Sequence, residues 1–182
     1  MRAFISIELP DPLKKSITQF IKELQKLDFV DAKFAQPEQM HLTLKFLGEV
    51  PENKLAAIKA VLKTIAEQTK SLGAQLKGFG HFNYRVLWIG GNNGQKEISE
   101  LAGSIDKELA KLGFAREPRE YAVHLTVARV RYWKNKEKFK EVLEKYSTED
   151  FGKFAVKEIK LMNSTLTTAG PIYEVLETFG FR

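Results

Sequence analysis

Two of the three histidines in the chain open the same triplet: "HLTLKFLGEV" begins at His41 and "HLTVARVRYW" at His124. Side chains alternate faces along a strand. His41 therefore shares a face with Thr43, and His124 with Thr126, while Leu42, Leu44, Leu125 and Val127 point behind. If the two forward faces look at each other across a cleft, two imidazoles and two hydroxyls surround one space. That set suits acid–base cleavage of a phosphodiester. One imidazole takes a proton from water, and the other gives one to the leaving oxygen. The hydroxyls bond the non-bridging oxygens and hold phosphorus in line. By composition, two of three histidines gain a threonine two residues on in about one chain in a hundred. A pair of core histidines bonded to backbone is the competing explanation, and the shared His/Thr face argues against it. His81, in "GFGHFNY", has no threonine companion and reads as structural.

The elements that must carry these strands follow from periodicity. "AFISIEL" alternates as a strand. Asp11 can cap a helix with Pro12 at its first position, and Leu13, Ile17, Phe20, Ile21, Leu24 and Leu27 form its apolar stripe. "HLTLKFLG" is the next strand. Pro51 opens a helix with Leu55, Ile58, Val61, Leu62 and Ile65 on one face, and "AQLKGFGHF" is a strand with its exit. The order then repeats. "YRVLWIG" is a strand and "GNNG" a turn, with Asn93 or a neighbour capping a helix that carries Ile98, Leu101, Ile105, Leu109 and Leu112 and stops at Gly113. "HLTVARV" is a strand, residues 135–146 a helix, and "FAVKEIKLMNS" and "IYEVLETFGF" two more strands. The histidine strands occupy the same slot in each half. An internal duplication is expected, with lobes 1–83 and 84–182 fused into a single bilobal domain 1–182 and with exchange of terminal strands between lobes allowed.

Composition bounds the chemistry. The 182 residues include no cysteine, which excludes disulfides, thiol nucleophiles and thiolate metal sites. No cluster has metal-ligand spacing, so no metal and no cofactor are expected. The opening residues predict no signal peptide and no segment predicts a membrane span, so a cytoplasmic protein with no membrane partner is expected. The net charge of +6 favours an anionic partner such as RNA or a nucleotide, though a solvated lysine-rich surface explains it equally well. "GGNNGQKE" lacks the spacing and the Ser or Thr of a phosphate-binding loop. No lysine opens the K-x-D-G pattern of a lysyl-adenylate ligase.

The doubled H-x-T-x motif in a duplicated chain of this length resembles the 2H phosphoesterase superfamily. The "FLGEV" after the first motif and the Ala-Arg after the second resemble its RNA 2',3'-cyclic phosphodiesterases, also called bacterial and archaeal 2'-5' RNA ligases. The resemblance implies an α+β fold: two pseudo-symmetric lobes, each an antiparallel sheet backed by helices, around a central cleft. It implies His41 as proton donor, His124 as proton acceptor, and Thr43 and Thr126 on the phosphate. It implies hydrolysis of RNA 2',3'-cyclic phosphate ends to a 2'-phosphomonoester, with weak reversible 2'-5' ligation as a side activity. The partners would be such RNA ends, tRNA fragments or nucleotides, met by a monomer. The alternatives are a 2H enzyme acting on small cyclic nucleotides and a non-catalytic nucleotide- or RNA-binding module. Two complete motifs argue against the latter, since binding needs no pair of proton carriers.

Four further residues carry weaker expectations. Family members often place an arginine where Arg129 stands, near the phosphate. Strict alternation from His124 puts it on the wrong face, so a bulge or a strand end must turn it round. Lys45 shares the His41 face by the same count and could line the cleft as diffuse charge. Phe4 and Tyr121 could stack on a base, against a core role for each. "RVRYWKNKEKFK" could track an RNA backbone or simply start a solvated helix.

Overall fold

The computed structural model describes residues 1–182. Nine strands and four helices follow in the order β1 (Arg2–Glu8), α1 (Asp11–Lys26), β2 (Val30–Phe34), a short 3-10 turn (Pro37–Gln39), β3 (His41–Glu49), α2 (Glu52–Gln68), β4 (Leu72–Phe82), β5 (Val86–Gly91), α3 (Gln95–Ala110), β6 (His124–Trp133), α4 (Lys136–Tyr146), β7 (Asp150–Val156), β8 (Glu158–Thr167) and β9 (Gly170–Gly180). The strands form two antiparallel sheets, β3-β1-β8-β9 and β2-β6-β5-β4-β7. The fold is α+β, and each sheet keeps one face for helices.

Each sheet takes strands from both halves of the chain. The strand β4, from the first half, lies beside β5. The last two strands, β8 and β9, join the sheet of β1, with β8 beside β1 itself. The switch occurs at Lys157. The run "FAVKEIKLMNS", expected as one strand, breaks there into β7 and β8, which belong to different sheets. No glycine or proline marks the break, so nothing local announces it. The edge strand β2 was also unforeseen: "VDAKF" is short and mixed in polarity.

The helices form on apolar stripes at helical spacing. Their starts differ by a residue or so from the expectations. Pro10, not Asp11, is the N-cap of α1, and Asp11 lies within the first turn, where its charge suits the helix dipole. Gly94, at φ 78°, precedes α3 in place of Asn93. Asn135 does cap α4, accepting from the Lys138 N–H at 3.0 Å. One contiguous apolar core, including Ile5, Leu42, Leu62, Leu87, Leu125 and Phe139, fills the space between the sheets and their helices. The faces that carry the histidines point away from it.

Candidate active site between two bulged strands

The two motif strands are built alike. In the first sheet Glu8 pairs with His41, Ser6 with Thr43, Ile5 with Lys45 and Phe4 with Phe46. In the second, Gly90 pairs with His124, Trp88 with Thr126, Leu87 with Ala128 and Val86 with Arg129. The register slips at the same point in both, leaving Leu44 and Val127 unpaired. These are β-bulges at the fourth position of each motif. The carbonyl freed at Val127 accepts from the Ala35 N–H at 2.9 Å. A bulge adds one residue and so reverses the alternation beyond it. Residues 41, 43 and 46 then share one face, as do 124, 126 and 129.

That reversal decides where the weaker candidates lie. Arg129 is turned into the cleft. Lys45 is turned off the face of His41 and Thr43, against the expectation, and meets the wall of the cleft only as part of a buried ion pair. It is 3% exposed, and its Nζ donates to Asp106 at 2.7 Å and to the Ala115 carbonyl at 2.8 Å. Asp106, on α3, also accepts from Arg116 and from the Glu117 N–H at 3.1 Å. Burial pushes the Asp106 carboxyl up, but these donors outweigh it and hold the group below the usual carboxylate range. Lys45 is therefore a neutralised tie between β3 and the 111–123 segment that leads into β6.

Phe4 is likewise corrected as a base-stacking residue, whereas Tyr121 stands in the wall of the cleft. Phe4 lies on the cleft side of β1 but is 2% exposed, roofed by His41 at 4.9 Å and Tyr173 at 5.1 Å between ring centroids. The Tyr121 ring is mostly buried and its hydroxyl has no hydrogen-bond partner. Burial raises that hydroxyl's pKa. Phe4 supports the site from behind, and Tyr121 forms part of its wall.

One cleft of about 970 Å³ is lined by His41, Thr43, His124, Thr126, Arg129 and Lys33 together with Gln39, Tyr173, Phe46 and Phe82. Gln39, Lys33 and Tyr173 come from segments with no motif of their own, and only the tertiary fold brings them in. Lys33 and Arg129 are cross-strand neighbours on β2 and β6. Their surroundings differ from those of Arg131 and Lys134 nearby, which pair with Asp31 at 3.3 Å and Asp28 at 2.6 Å. Two adjacent cations repel each other, and an anion between them and the threonines relieves that repulsion. The rest of "RVRYWKNKEKFK" is largely engaged elsewhere: the Trp133 Nε1–H donates to the Tyr84 carbonyl at 3.1 Å and its ring packs on Phe139 at 4.4 Å.

The imidazoles sit in unlike settings. His124 Nδ1 lies 2.8 Å from the Ala122 carbonyl, so that nitrogen carries hydrogen and Nε2 is the free position. Phe82 packs edge-on against the ring at 5.1 Å. His41 lies between Phe4 and the edge of Tyr173, 5.0 Å away. Burial first, and the Lys14 ammonium second, lower its pKa from 6.5 to about 4, while Glu8 beside it opposes the shift. His81 does not line the cleft: its Nδ1 accepts from the Tyr84 N–H at 3.0 Å and its ring packs on Tyr84 and Phe139.

The lowered His41 pKa has a sign that can be checked. The fold favours the neutral ring, so the unfolded chain binds more protons as pH drops below 6.5. This contribution to stability is complete above pH 6.5 and is lost as pH falls through about 4. The loss reaches about 2 to 3 kcal/mol at pH 4.5. Urea titrations of the wild type and of His41→Gln at pH 7.5 and 4.5 should differ by that amount, with the wild type losing more. Parallel losses in the two proteins would show that His41 titrates normally.

A family model described as "AKAP7 2'5' RNA ligase-like domain" matches residues 3–181. Among curated relatives, an RNA 2',3'-cyclic phosphodiesterase of Methanocaldococcus jannaschii is 41% identical over 97% of this chain and 99% of the relative. One of Archaeoglobus fulgidus is 38% identical over 98% and 99%. Among solved structures, a protein of Thermus thermophilus superposes with a TM-score of 0.84 at 25% identity, covering 100% of this chain and 98% of that one. The fold is also that of E. coli LigT complexed with 3'-AMP, at a TM-score of 0.77 and 22% identity, covering 99% of this chain and 96% of LigT.

Proposed function

The chain belongs to the AKAP7 2'5' RNA ligase-like family, within the 2H phosphoesterases, and we propose that it hydrolyses the 2',3'-cyclic phosphate ends of RNA with His41 as acid and His124 as base. The observation that carries this is the matched pair of bulged His-Leu-Thr strands facing one cleft, with Lys33 and Arg129 beside the second.

Thr43, Thr126 and Arg129 bind the non-bridging phosphate oxygens. The Ala122 carbonyl keeps hydrogen on Nδ1 of His124 and leaves Nε2 to accept a proton from water. Water oxygen bonds to phosphorus as the bond from phosphorus to O3' breaks. His41 gives its proton to O3'. The two imidazoles end with exchanged protonation and reset through solvent. His41 is neutral in the free cleft, and the bound phosphodiester anion supplies the charge that lets it take up a proton. A proton held weakly is given up readily to an alkoxide. When the 5'-hydroxyl of a second RNA takes the place of water, the same displacement forms its bond to phosphorus as the bond to O3' breaks, with His124 taking the hydroxyl proton and His41 protonating O3', and leaves a 2'-5' phosphodiester. No helix is long and apolar enough to cross a membrane. The reading places the enzyme in the cytoplasm as a monomer acting on RNA ends such as tRNA fragments.

In-line displacement puts water and the leaving oxygen on opposite sides of phosphorus, so the acid's position fixes the product. Digestion of an RNA ending in a 2',3'-cyclic phosphate is expected to leave a 2'-phosphate, identified by its resistance to a 3'-specific phosphatase and by NMR of the terminal nucleotide. A 3'-phosphate would reverse the acid and base assignments. No turnover would leave the alternative of a nucleotide-binding module.

A further inference from the structure

Water attacks phosphorus from the His124 side, and so must any alcohol that takes its place. Water is in great excess over RNA ends. An alcohol therefore competes only if the cleft holds it beside His124 before the attack. The exposed ring on that side is Phe82. It stands opposite Val86, which is itself opposite Arg129, so it shares the face of His124 and Thr126. It is 43% exposed, lines the cleft and meets His124 edge-on at 5.1 Å between centroids. Trp88, the neighbour of Thr126, supports it at 5.6 Å. Two glycines make room for that indole: a Cβ at Gly80 would fall 2.5 Å from it and one at Gly90 3.1 Å. The turn after Phe82 is pinned as well. Asn83 and Tyr84 both have positive φ, at 50° and 57°, as a tight hairpin turn requires. The Tyr84 carbonyl accepts from Trp133 Nε1–H at 3.1 Å, and the Tyr84 ring packs against Trp133 and Phe139. An exposed ring held from below and at its turn has little freedom left to lose when a flat partner covers it.

We propose that Phe82 is the acceptor platform for 2'-5' joining, the place where the 5'-terminal nucleobase of a second RNA stacks while its 5'-hydroxyl meets Nε2 of His124. This rests on the phosphodiesterase reading above and deepens it. O3' leaves beside His41, so the ribose of the cyclic phosphate lies on the His41 side of phosphorus. The attacking strand lies on the opposite side, where Phe82 stands. The two RNA ends thus meet across the cleft, each against its own sheet. O5' bonds to phosphorus as the bond from phosphorus to O3' breaks. His124 takes the proton of the 5'-hydroxyl, and His41 gives its proton to O3'. The Ala122 carbonyl engages Nδ1 of His124, so the hydroxyl has one nitrogen to approach. Because Phe82 packs on that same imidazole, a base on the platform carries its ribose towards the proton acceptor. Stacking reads no hydrogen-bond pattern, so the site takes every base and favours the larger purine rings.

A partition experiment tests this. Adenosine 2',3'-cyclic phosphate is offered with one of two acceptors at equal concentration, adenosine or a base-free methylriboside, both with a free 5'-hydroxyl. Initial rates of the 2'-5' joined product and of the 2'-phosphate are read together by mass spectrometry. Joining and hydrolysis share His124, so a disturbed imidazole slows both alike and cancels in their ratio. The wild type is expected to give a ratio about 10- to 100-fold higher with adenosine than with the methylriboside. Phe82→Leu should bring the adenosine ratio down towards that of the methylriboside and leave the methylriboside ratio as it was. Phe82→Trp should keep the preference for adenosine. Equal ratios for the two acceptors in the wild type, or a Phe82→Leu enzyme that still prefers adenosine, would overturn the assignment. The wild-type comparison needs no variant, so a poorly folding Phe82→Leu protein does not remove the test. Hydrolysis by the wild type without joining of either acceptor would overturn the acceptor site and leave the phosphodiesterase reading standing. A wild type inert on the cyclic phosphate would sink that reading, and this proposal with it.

Discussion

His124→Ala is expected to lower kcat for ring opening by about 10²- to 10⁴-fold, and His41→Ala by a similar factor, the usual worth of a positioned base or acid. The two rings serve one transition state. Removing the base leaves an acid with little developing charge to neutralise, and removing the acid leaves an attack whose leaving group is poor. The double variant should therefore lose much less than the product of the single losses. Neither histidine belongs to the apolar core, and both line the cleft. His41 does fill space between Phe4 and Tyr173, so His41→Gln is the companion variant that keeps volume without a proton near neutrality. His81→Ala supplies the contrast. That ring packs on Tyr84 and Phe139 and does not line the cleft, and its loss should leave kcat within about threefold. An equal collapse on removing His81 would mean that the losses report the fold and not the chemistry. Rates that multiply in the double variant would mean that the two rings do not share a step.

The triplets themselves were legible because a strand has a fixed period. Histidine and threonine two apart must share a face, whatever the sheet does. What could not be read was everything beyond the bulge. Leu44 and Val127 are ordinary apolar residues in an apolar strand, and no residue type marks the slip. Yet the slip moves Lys45 off the histidine face into a buried ion pair, and brings Arg129 and Phe46 to that face. Counting alternation from His41 assigns Lys45 and Phe46 the wrong way round. An Arg129 role needed a bulge to be invoked, and the register supplies one.

The sheets pose a second limit. Periodicity shows that residues 154–164 are extended, but not which neighbours they pair with. The chain passes from β7 to β8, and so from one sheet to the other, across the single residue Lys157. Pairing is a long-range choice, made by which apolar faces fit together. The same holds for Tyr173, which reaches His41 only because β9 lies on the first sheet beyond β8. Phe4 illustrates a third limit. Its face was predictable, but its burial depended on rings from β3 and β9.

Asp106→Leu is expected to destabilise the protein by about 3 kcal/mol, and adding Lys45→Met is expected to recover most of that loss. The Lys45 side chain is 1% exposed and that of Asp106 8%. Two charges taken this far from water attract each other, but they have also given up hydration. A tight pair therefore contributes little net stability compared with apolar side chains of similar size. Removing one partner is different, because the remaining ammonium is buried without its counterion. Here the Ala115 carbonyl at 2.8 Å and the partly exposed Glu117 carboxylate at 3.8 Å remain to soften the loss, which places the cost at the lower end of the usual range for a broken buried pair. Urea unfolding of the wild type, the single variant and the double variant at pH 7 measures the cycle. A second effect should separate from the first. Asp106 also holds Arg116 and the Glu117 N–H, and the segment beyond runs through Tyr121 and the Ala122 carbonyl that orients His124. The double variant regains stability but not those bonds, so its kcat should stay below wild type, by about 3- to 30-fold if one hydrogen-bonded tie to the loop is lost. A double variant as unstable as Asp106→Leu would show that Lys45 is not the stranded charge. A stable double variant with wild-type kcat would show that the tie braces the fold without positioning His124.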